Sequence, residues 1–242
     1  NGLKVLDPLR SRKDEDELEL LREASEMVDK VVYKLIDFIR PGMTERDIIK
    51  MIPQFFEEAG CYEMSFGPIV ASGPNGSMPH YSGDKRVIEK NDVIILDLGG
   101  RHNGYCSDTT RTLFVGAPTD EQKKVYETVR RAQAAGEAAV RPGATGQDVD
   151  RAARKVIVDA GYGDFFFNRV GHGIGLAVHE SPFIIEGNDK PLEPGNVFSV
   201  EPGIYLPGKF GVRIENLVAV RPDGTGEALN HSPRELTAVK NG

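Results

Sequence analysis

The spacing of apolar residues predicts two helices near the start of the chain. From Glu15 onward, apolar residues recur every three or four positions and therefore share one helical face: Leu21, Ala24, Val28, Val31, Leu35 and Phe38. This helix is predicted to stop at Arg40-Pro41-Gly42. Thr44, with Asp47 three residues later, forms a capping pair for a second helix that ends near Ala59-Gly60.

The same pattern returns later in the chain, which indicates an internal duplication. Residues 39–44 (IRPGMT) match residues 140–145 (VRPGAT) without a gap, at an offset of 101 residues. At the same offset Asp47 matches Asp148. The second copy therefore predicts a second pair of helices.

Each helical pair is followed by strand-like runs that lead to acidic residues. Asp97 and Glu201 each end an apolar run and lie 104 residues apart, while Asp108 and Glu215 belong to the next strands and lie 107 residues apart. Two helices followed by strands, twice over, predict an α+β domain of two halves related by a pseudo-twofold axis. Equivalent positions meet at such an axis, so the four carboxylates are expected to converge.

Four converging carboxylates imply bound cations. Two carboxylates about 4 Å apart repel by about 1 kcal/mol in water and by about 4 kcal/mol at an effective dielectric constant of about 20. Arg213 could neutralise one of them, but two divalent cations would neutralise all four and suit an oxygen-rich site. His172 offers a nitrogen ligand, and the flanking Gly171 and Gly173 are expected to leave room around its ring.

Composition and charge narrow the function mainly by exclusion. The 242-residue chain has a formal net charge of -7 and no basic run, which argues against a nucleic-acid partner. No apolar stretch approaches the roughly 20 residues of a membrane helix, and no signal pattern is visible, so no membrane partner and a cytoplasmic location are expected. Cys61 and Cys106 cannot form a disulfide framework or a cysteine-based zinc site. The stretch 1–13 has the composition of a loop.

Two short motifs resemble sites of other classes but lack their context. The glycines at 171, 173 and 175 are not set in a βαβ unit with a following acid, as a dinucleotide loop would be. His179-Glu180 begins like a zinc-protease helix, but Phe183 replaces the second histidine and Pro182 would break the helix. Neither motif supports a separate function.

Taken in order, the acids and the histidine resemble those of a known family, the pita-bread metallopeptidases, which include methionine aminopeptidase, prolidase and aminopeptidase P. In that family two metals are bound by an Asp, a second Asp, a His in a Gly-His-Gly context, a Glu before Pro-Gly and a final Glu. The matching residues here are Asp97, Asp108, His172, Glu201 and Glu215. The resemblance spans nearly the whole chain and implies two pseudo-twofold-related halves with antiparallel sheet and flanking helices.

Local detail is similar to the Xaa-Pro branch of the family, which comprises prolidase and Xaa-Pro aminopeptidase. Pro79-His80 and the segment 211–215 (GVRIE) are the most telling matches. Members of this branch usually carry an additional N-terminal domain. The resemblance therefore implies that residues 1–14 are a linker from such a domain, absent here, and that residues 15–242 are the catalytic domain.

The resemblance implies a dinuclear metal-dependent exopeptidase that hydrolyses the N-terminal Xaa-Pro bond of dipeptides or peptides. A metal-bridged hydroxide would be the nucleophile, and Glu201 would pass its proton to the leaving nitrogen. His80 and His179 would hydrogen-bond the peptide in the reaction. Arg213 would orient a ligand carboxylate at the substrate site, and Tyr205 would line the substrate pocket.

Two departures and three alternatives accompany this prediction. Asn168 stands where Xaa-Pro enzymes often have a histidine, and Ala177 where many have an acid, which affects the expected proline preference.

The alternatives are a methionine aminopeptidase, a non-catalytic peptide-binding module of the same fold, and a metal-free creatine-hydrolysing relative. Manganese or cobalt is the expected metal, with zinc or iron compatible with the same ligands. The expected partners are a peptide substrate and, as in relatives that are commonly dimers, a second copy of the chain.

Overall fold

The computed structural model describes residues 3–240, with side chains from residue 6 onward. The helices in this range are α1 (Leu3–Ser11), α2 (Glu15–Phe38), α3 (Glu45–Glu58), α4 (Asp120–Ala139) and α5 (Gly146–Asp159). The strands are β1 (Glu63–Met64), β2 (Ile69–Ser72), β3 (Val93–Leu98), β4 (Gly100–His102), β5 (Tyr105–Cys106), β6 (Thr109–Phe114), β7 (Gly171–Gly173), β8 (Glu180–Ile184), β9 (Val197–Val200), β10 (Gly203–Leu206), β11 (Phe210–Arg213), β12 (Asn216–Val220), β13 (Gly226–Ala228) and β14 (Thr237–Ala238). Within this range no helix combines the length and the apolar character needed to cross a membrane.

The helices α2 and α3 begin and end where the sequence predicts. The carboxylate of Asp14 accepts a hydrogen bond from the backbone N–H of Glu17, and the Glu17 side chain accepts one from the N–H of Asp14, both at 2.9 Å. Thr44 and Asp47 form the same reciprocal cap at the start of α3. These capping boxes satisfy N–H groups that the first turn of a helix leaves free.

The duplication extends to individual hydrogen bonds. The distance from Thr44 N to Asp47 Oδ2 is 2.9 Å, and the distance from Thr145 N to Asp148 Oδ2 at the start of α5 is also 2.9 Å. Gly42 precedes the first of these caps with φ 89°, a left-handed conformation that favours glycine, and its counterpart Gly143 has φ 82°. The helical part of each half is therefore built by the same local sequence.

Most strands lie in two larger sheets, one in each half. The sheet of the first half has the order β14-β6-β3-β2, and the sheet of the second half has the order β13-β12-β9-β7-β8. Pairing is antiparallel except between β14 and β6, which run parallel. Two smaller antiparallel groups, β1-β4-β5 and β10-β11, complete the strands of the described residues. This mixture of helices and antiparallel sheets confirms the α+β prediction.

Alternation along the central strands separates the cores from the acids. Ile94 and Leu96 of β3 pack with α2 and α3 in one core, and Phe198 and Val200 of β9 pack with α4 and α5 in a second core. Successive side chains of a strand point to opposite faces. Asp97 therefore lies on the face of β3 that is turned away from the helices.

The start of the chain differs from the prediction. The stretch 1–13 was expected to be a loop, but Leu3–Ser11 forms helix α1, while residues 1 and 2 lie outside the described part. Pro8 lies inside this short helix, and its apolar residues Leu6 and Leu9 are exposed, so burial of an apolar face does not account for the helix. Tertiary contacts hold α1 in place, among them the hydrogen bond from Ser181 Oγ to Asp7 Oδ2 at 2.9 Å.

Candidate metal centre

The structure brings the five predicted metal ligands to one cavity of about 510 Å³. Each ligand lies in or beside a central strand: Asp97 in β3, Asp108 before β6, His172 in β7, Glu201 after β9 and Glu215 before β12. The first half thus contributes two carboxylates, and the second half contributes the imidazole and two carboxylates. The site therefore lies where the halves meet.

Three of the five are close enough to share one cation. One ligand atom from each of Asp108, His172 and Glu215 lies within 4.8 Å of the other two, and all three residues are buried. The Nε2 atom of His172 lies 3.6 Å from Asp108 Oδ2 and 3.3 Å from Glu201 Oε1. These separations are longer than direct hydrogen bonds of ideal length, and atoms that surround one ion are spaced in this way.

Asp97 lies in β3 and Asp108 stands immediately before β6, and these two strands pair with each other. Asp97 of β3 lies opposite Thr110 of β6 in an antiparallel pair. The short strands β4 and β5 lie between them in the chain and pair with each other. Asp108 stands just before β6, outside the regular pairing, so alternation along a single strand does not set its direction.

Hydrogen bonds to the backbone fix the orientation of His172. Its Nδ1 atom lies 3.1 Å from Gly173 O, which favours the tautomer that donates from Nδ1 and leaves Nε2 free for a ligand. The flanking glycines have a different purpose from the one expected. A Cβ at Gly171 would collide with the carbonyl oxygen of Ser199, and a Cβ at Gly173 would collide with the backbone of Ser181. The two glycines allow the backbones of β9 and β8 to pack closely against β7, rather than leave room around the His172 ring.

Arg213 forms an ion pair with Asp97 at the edge of the metal site. Its guanidinium donates to Asp97 Oδ2 at 2.6 Å, to Tyr205 Oη at 3.0 Å and to Thr110 Oγ1 at 3.0 Å. The expectation that Tyr205 lines the substrate pocket differs from its placement. Tyr205 is buried behind Arg213, is 1% exposed and is not among the residues that line the cavity.

Two hydroxyl groups that were not predicted as site residues hold the ligand carboxylates. Thr110 Oγ1 donates to Glu215 Oε2 at 2.7 Å, and Ser199 Oγ donates to Glu201 Oε1 at 3.0 Å. Ser199 also accepts the backbone N–H of His172 at 3.0 Å. Alternation along the chain could have indicated Ser199, which lies two positions before Glu201, whereas Thr110 holds a ligand from a distant strand.

Without a bound cation, the surroundings of the site disfavour the ionised form of most of its carboxyl groups. Burial raises the pKa of Asp108 well above its usual range, and the charges of the neighbouring carboxylates raise it further. Burial and the same charges raise the pKa of Glu215. Burial also raises the pKa of Asp97, against the opposing charge of Arg213. Burial acts to raise the pKa of Glu201 too, but the His172 imidazole 3.3 Å away, the charge of Arg213 and the hydrogen bond from Ser199 outweigh this and lower it.

Among the described residues, three carboxylate oxygens of the predicted metal ligands have no hydrogen-bond donor. They are Asp97 Oδ1, Asp108 Oδ1 and Glu215 Oε1, all buried. A buried carboxylate oxygen without a donor is costly, and the remaining charge is the kind that a hard divalent cation neutralises. The residues present therefore fit divalent cations, with His172 as the nitrogen ligand.

Further residues complete the wall of the cavity. His80, His179 and Asn168 line it, and so do four residues that the sequence did not indicate: Phe66, Ile69, Arg169 and Val178. Burial, helped by the charges of His172 and Arg169, lowers the pKa of His179 to about 4. Ala177 does not line the cavity, and its N–H donates towards Glu180. No local pattern in the sequence distinguishes Arg169 from surface arginines.

Comparisons with known proteins agree with this geometry. The model of metallopeptidase family M24 matches residues 19–222. The chain is 44% identical over 236 residues to the probable dipeptidase PepE of Mycobacterium tuberculosis, covering 97% of this chain and 62% of that protein. It is 43% identical over 232 residues to the Xaa-Pro dipeptidase of Lactobacillus delbrueckii subsp. lactis, covering 96% and 63%.

Solved structures show the same relation. The recombinant prolidase from Thermococcus sibiricus superposes with a TM-score of 0.95 at 47% identity, over 98% of this chain and 64% of that one. The fold is therefore the pita-bread fold of prolidases and of aminopeptidase P. The chain spans 62–63% of the length of the curated relatives named above. From the extent of the family match and of these identities, the chain belongs to metallopeptidase family M24.

Proposed function

We propose that this chain is the catalytic part of a metal-dependent exopeptidase that hydrolyses the N-terminal Xaa-Pro bond of dipeptides or short peptides. The observation that carries the proposal is the group of three buried carboxylate oxygens without donors that share a cavity with His172. The names of relatives support the Xaa-Pro preference, since two of them are called Xaa-Pro dipeptidase and prolidase.

The proposed ligands of two divalent cations are Asp97, Asp108, His172, Glu201 and Glu215. When bound, divalent cations supply Lewis-acid polarisation of the scissile carbonyl and lower the pKa of water towards neutrality. We expect manganese or cobalt, because carboxylate-rich sites with one imidazole accept both. The cytoplasmic location and the homodimer expected from the sequence stay predictions.

Glu201 is the residue best placed to move protons. Its side chain is 21% exposed, more than those of Asp108 and His172, so it reaches into the cavity. Its lowered pKa keeps the carboxylate ionised at neutral pH, as a proton acceptor requires. The proton taken from the attacking water would pass to the nitrogen of the leaving residue. A general acid–base step of this kind typically contributes about 10²–10⁴ in rate.

The two histidines in the cavity wall are assigned to the substrate. A pKa of about 4 leaves the His179 imidazole neutral at neutral pH, so it would donate or accept a hydrogen bond without adding charge. His80 lies on the chain segment that follows β2 and lines the same cavity. Together they would hold the peptide carbonyl and the leaving nitrogen in line with Glu201.

Chelation and one ligand substitution test the proposal. Hydrolysis of Ala-Pro should stop with EDTA and return with manganese or cobalt. Glu215→Ala should lose bound metal and at least about a hundredfold of the rate, since removing a ligand exceeds the usual effect of residues that only orient one. The matched control is Glu186→Ala, an acid exposed at the surface and paired with Arg151. Full activity after chelation, or in Glu215→Ala, would refute the proposal.

A series of peptide substrates also tests two of the alternatives. Faster cleavage of Met-Ala-Ser than of Ala-Pro would identify a methionine aminopeptidase. Comparison of Ala-Pro with longer peptides that begin Ala-Pro would distinguish a dipeptidase from an aminopeptidase. No cleavage of any of these by metal-loaded protein would identify a non-catalytic module.

A further inference from the structure

The chain segment between β7 and β8 carries His179 and ends at a buried acid, Glu180. The Glu180 side chain is 7% exposed and accepts from Lys13 Nζ at 2.7 Å and from Arg10 Nη2 at 2.6 Å. Its second oxygen also accepts the backbone N–H of Ala177 at 3.4 Å. Both cations come from the segment that precedes α2, about 170 residues earlier in the chain.

Lys13 is attached to the second half by its backbone as well as by its side chain. Its side chain is 1% exposed, and its backbone N–H donates to Gly195 O at 2.8 Å. A lysine buried in this way keeps its charge only with a close partner, because the loss of one member of a buried pair leaves the other uncompensated. Glu180 and Lys13 therefore depend on each other's position.

The backbone of residues 175–180 passes close to this ion pair. A Cβ at Gly175 would lie 2.6 Å from Glu180 Oε1 and 3.1 Å from Lys13 Nζ, so the pair occupies the space that a side chain at 175 would need. The carbonyl of Gly175 accepts the N–H of Cys106 at 2.8 Å. Residues 175–180 are thus held at Glu180 by the ion pair and at Gly175 by Cys106, with no space left for a side chain between Gly175 and the pair.

The side chain of His179 has no other restraint of comparable strength. Among the described residues it makes no hydrogen bond and no ion pair, and its ring contacts the ring of His172 at a centroid distance of 4.2 Å. Because it follows Val178 at the cavity wall and directly precedes Glu180, the backbone sets where its imidazole points. Any shift of Glu180 would move the ring.

We propose that Glu180, held by Lys13 and Arg10, is a positioning residue that fixes His179 at the cavity. None of the three lines the cavity, so the role is indirect. The proposal rests on the proposed peptidase function for its kinetic consequence. It makes the segment before α2 a determinant of catalysis.

A double-substitution cycle on kcat tests this inference in metal-loaded protein. Lys13→Met should lower kcat for Ala-Pro by about 10- to 100-fold with a smaller change in KM, since misplacement of a group by about 1 Å can have such an effect. In a His179→Ala background the same substitution should change kcat by less than about twofold, because the two act through one position. Lys13→Arg, which keeps the charge, should restore part of the rate.

A second readout does not depend on catalysis. The chain has five histidines, so the ring signals in an NMR spectrum of histidine-labelled protein can be assigned by substitution. Lys13→Met and Glu180→Gln should shift the His179 signal and leave that of His231 unchanged. The matched control is Arg12→Met, which removes a neighbouring cation from an exposed pair with Glu193.

The outcomes separate the two proposals. An inactive wild-type protein whose His179 signal still moves in Lys13→Met would reject the peptidase function and support the positioning role. An active wild type in which the Lys13 and His179 effects multiply independently, with the His179 signal unmoved, would overturn the positioning role. Equal effects of Arg12→Met and Lys13→Met would overturn it as well.

Discussion

At the scale of single residues, one hydroxyl links the ligands of the two halves. Thr110 Oγ1 donates to Glu215 and accepts from Arg213, and Arg213 in turn donates to Asp97. With Glu215 Oε2 occupied by this hydrogen bond, the atom left for a cation is Oε1. The orientation of both carboxylates therefore depends on a residue that carries no charge.

Substitution of Thr110 by valine keeps the shape and removes these hydrogen bonds. We expect Thr110→Val to weaken metal affinity or activity by about 10- to 100-fold, the usual effect of losing a group that orients a ligand. Affinity is measured by competition with a chromogenic chelator. Thr128→Val is the matched control, because Thr128 is also buried but donates to Lys124 O within α4. An unchanged affinity in Thr110→Val would contradict the role assigned to the hydroxyl.

The sequence predicts residues well where chemistry and local context coincide. Asp97 and Glu201 end apolar runs, where a charge without a purpose is costly, and the cavity contains both. Tyr205 is different, because its distance along the chain from Glu201 does not reveal that β10 turns its ring behind Arg213. Arg169 gave no signal, since its position in the cavity results from contacts between distant segments.

At the scale of elements, the capping boxes recur with the duplication. Thr44 caps α3 and Thr145 caps α5, and these two helices are equivalent under the duplication. The caps satisfy N–H groups in the first turns of these helices, which pack against the sheets whose opposite faces carry the acids. Equivalent helices should therefore respond alike to the loss of their caps.

We expect Thr44→Ala and Thr145→Ala each to lower the free energy of unfolding by about 1 kcal/mol, the typical contribution of a threonine cap. Urea unfolding measures the change. Thr237→Ala, whose exposed hydroxyl donates only to Glu235 O, should stay within about 0.5 kcal/mol of the parent protein. A large difference between the two cap variants would show that the halves are not energetically equivalent.

Elements with a strong period were predicted, and short elements were not. The apolar face of α2 repeats over 24 residues, so its bounds could be read from the sequence. Helix α1 has nine residues and leaves Leu6 and Leu9 exposed, so contacts with β8 rather than a buried apolar face hold it in place. The strands β4 and β5 are equally short and depend on pairing with each other.

At the scale of the whole molecule, the candidate site joins two bodies of apolar packing. One core lies between α2, α3 and the sheet of the first half, and the other lies between α4, α5 and the sheet of the second half. Asp108 and Glu215 come from different halves and are both within reach of one cation. A bound cation should therefore stabilise the folded chain as well as enable chemistry.

The pH dependence of this effect has a definite sign. In the metal-free chain burial raises the pKa of Asp108 and of Glu215, so the folded state keeps protons at pH values where the unfolded state has lost them. The metal-free fold therefore loses stability as pH rises from the usual carboxyl range through these raised values. Cations displace the protons, so affinity should increase with pH across the same window.

Calorimetry in buffers of different ionisation enthalpy checks this expectation. Titration of the metal-free protein with manganese, at a pH between the usual carboxyl range and the raised pKa values, should release protons, and the melting temperature should rise on binding. In Glu215→Gln the release should be smaller, because a neutral amide has no proton to give up. Binding without any proton release would contradict the raised pKa values.

The alternation along β3 also affects which register errors are tolerated during folding. If β3 shifted its register by one residue against its neighbours, Asp97 would point into the apolar core beneath α2 and α3, and Leu96 would point towards the acids. The charge would then have neither water nor a counter-ion. A register error that displaces the metal ligands therefore also disrupts the core, so chains that complete the core have the ligands correctly placed.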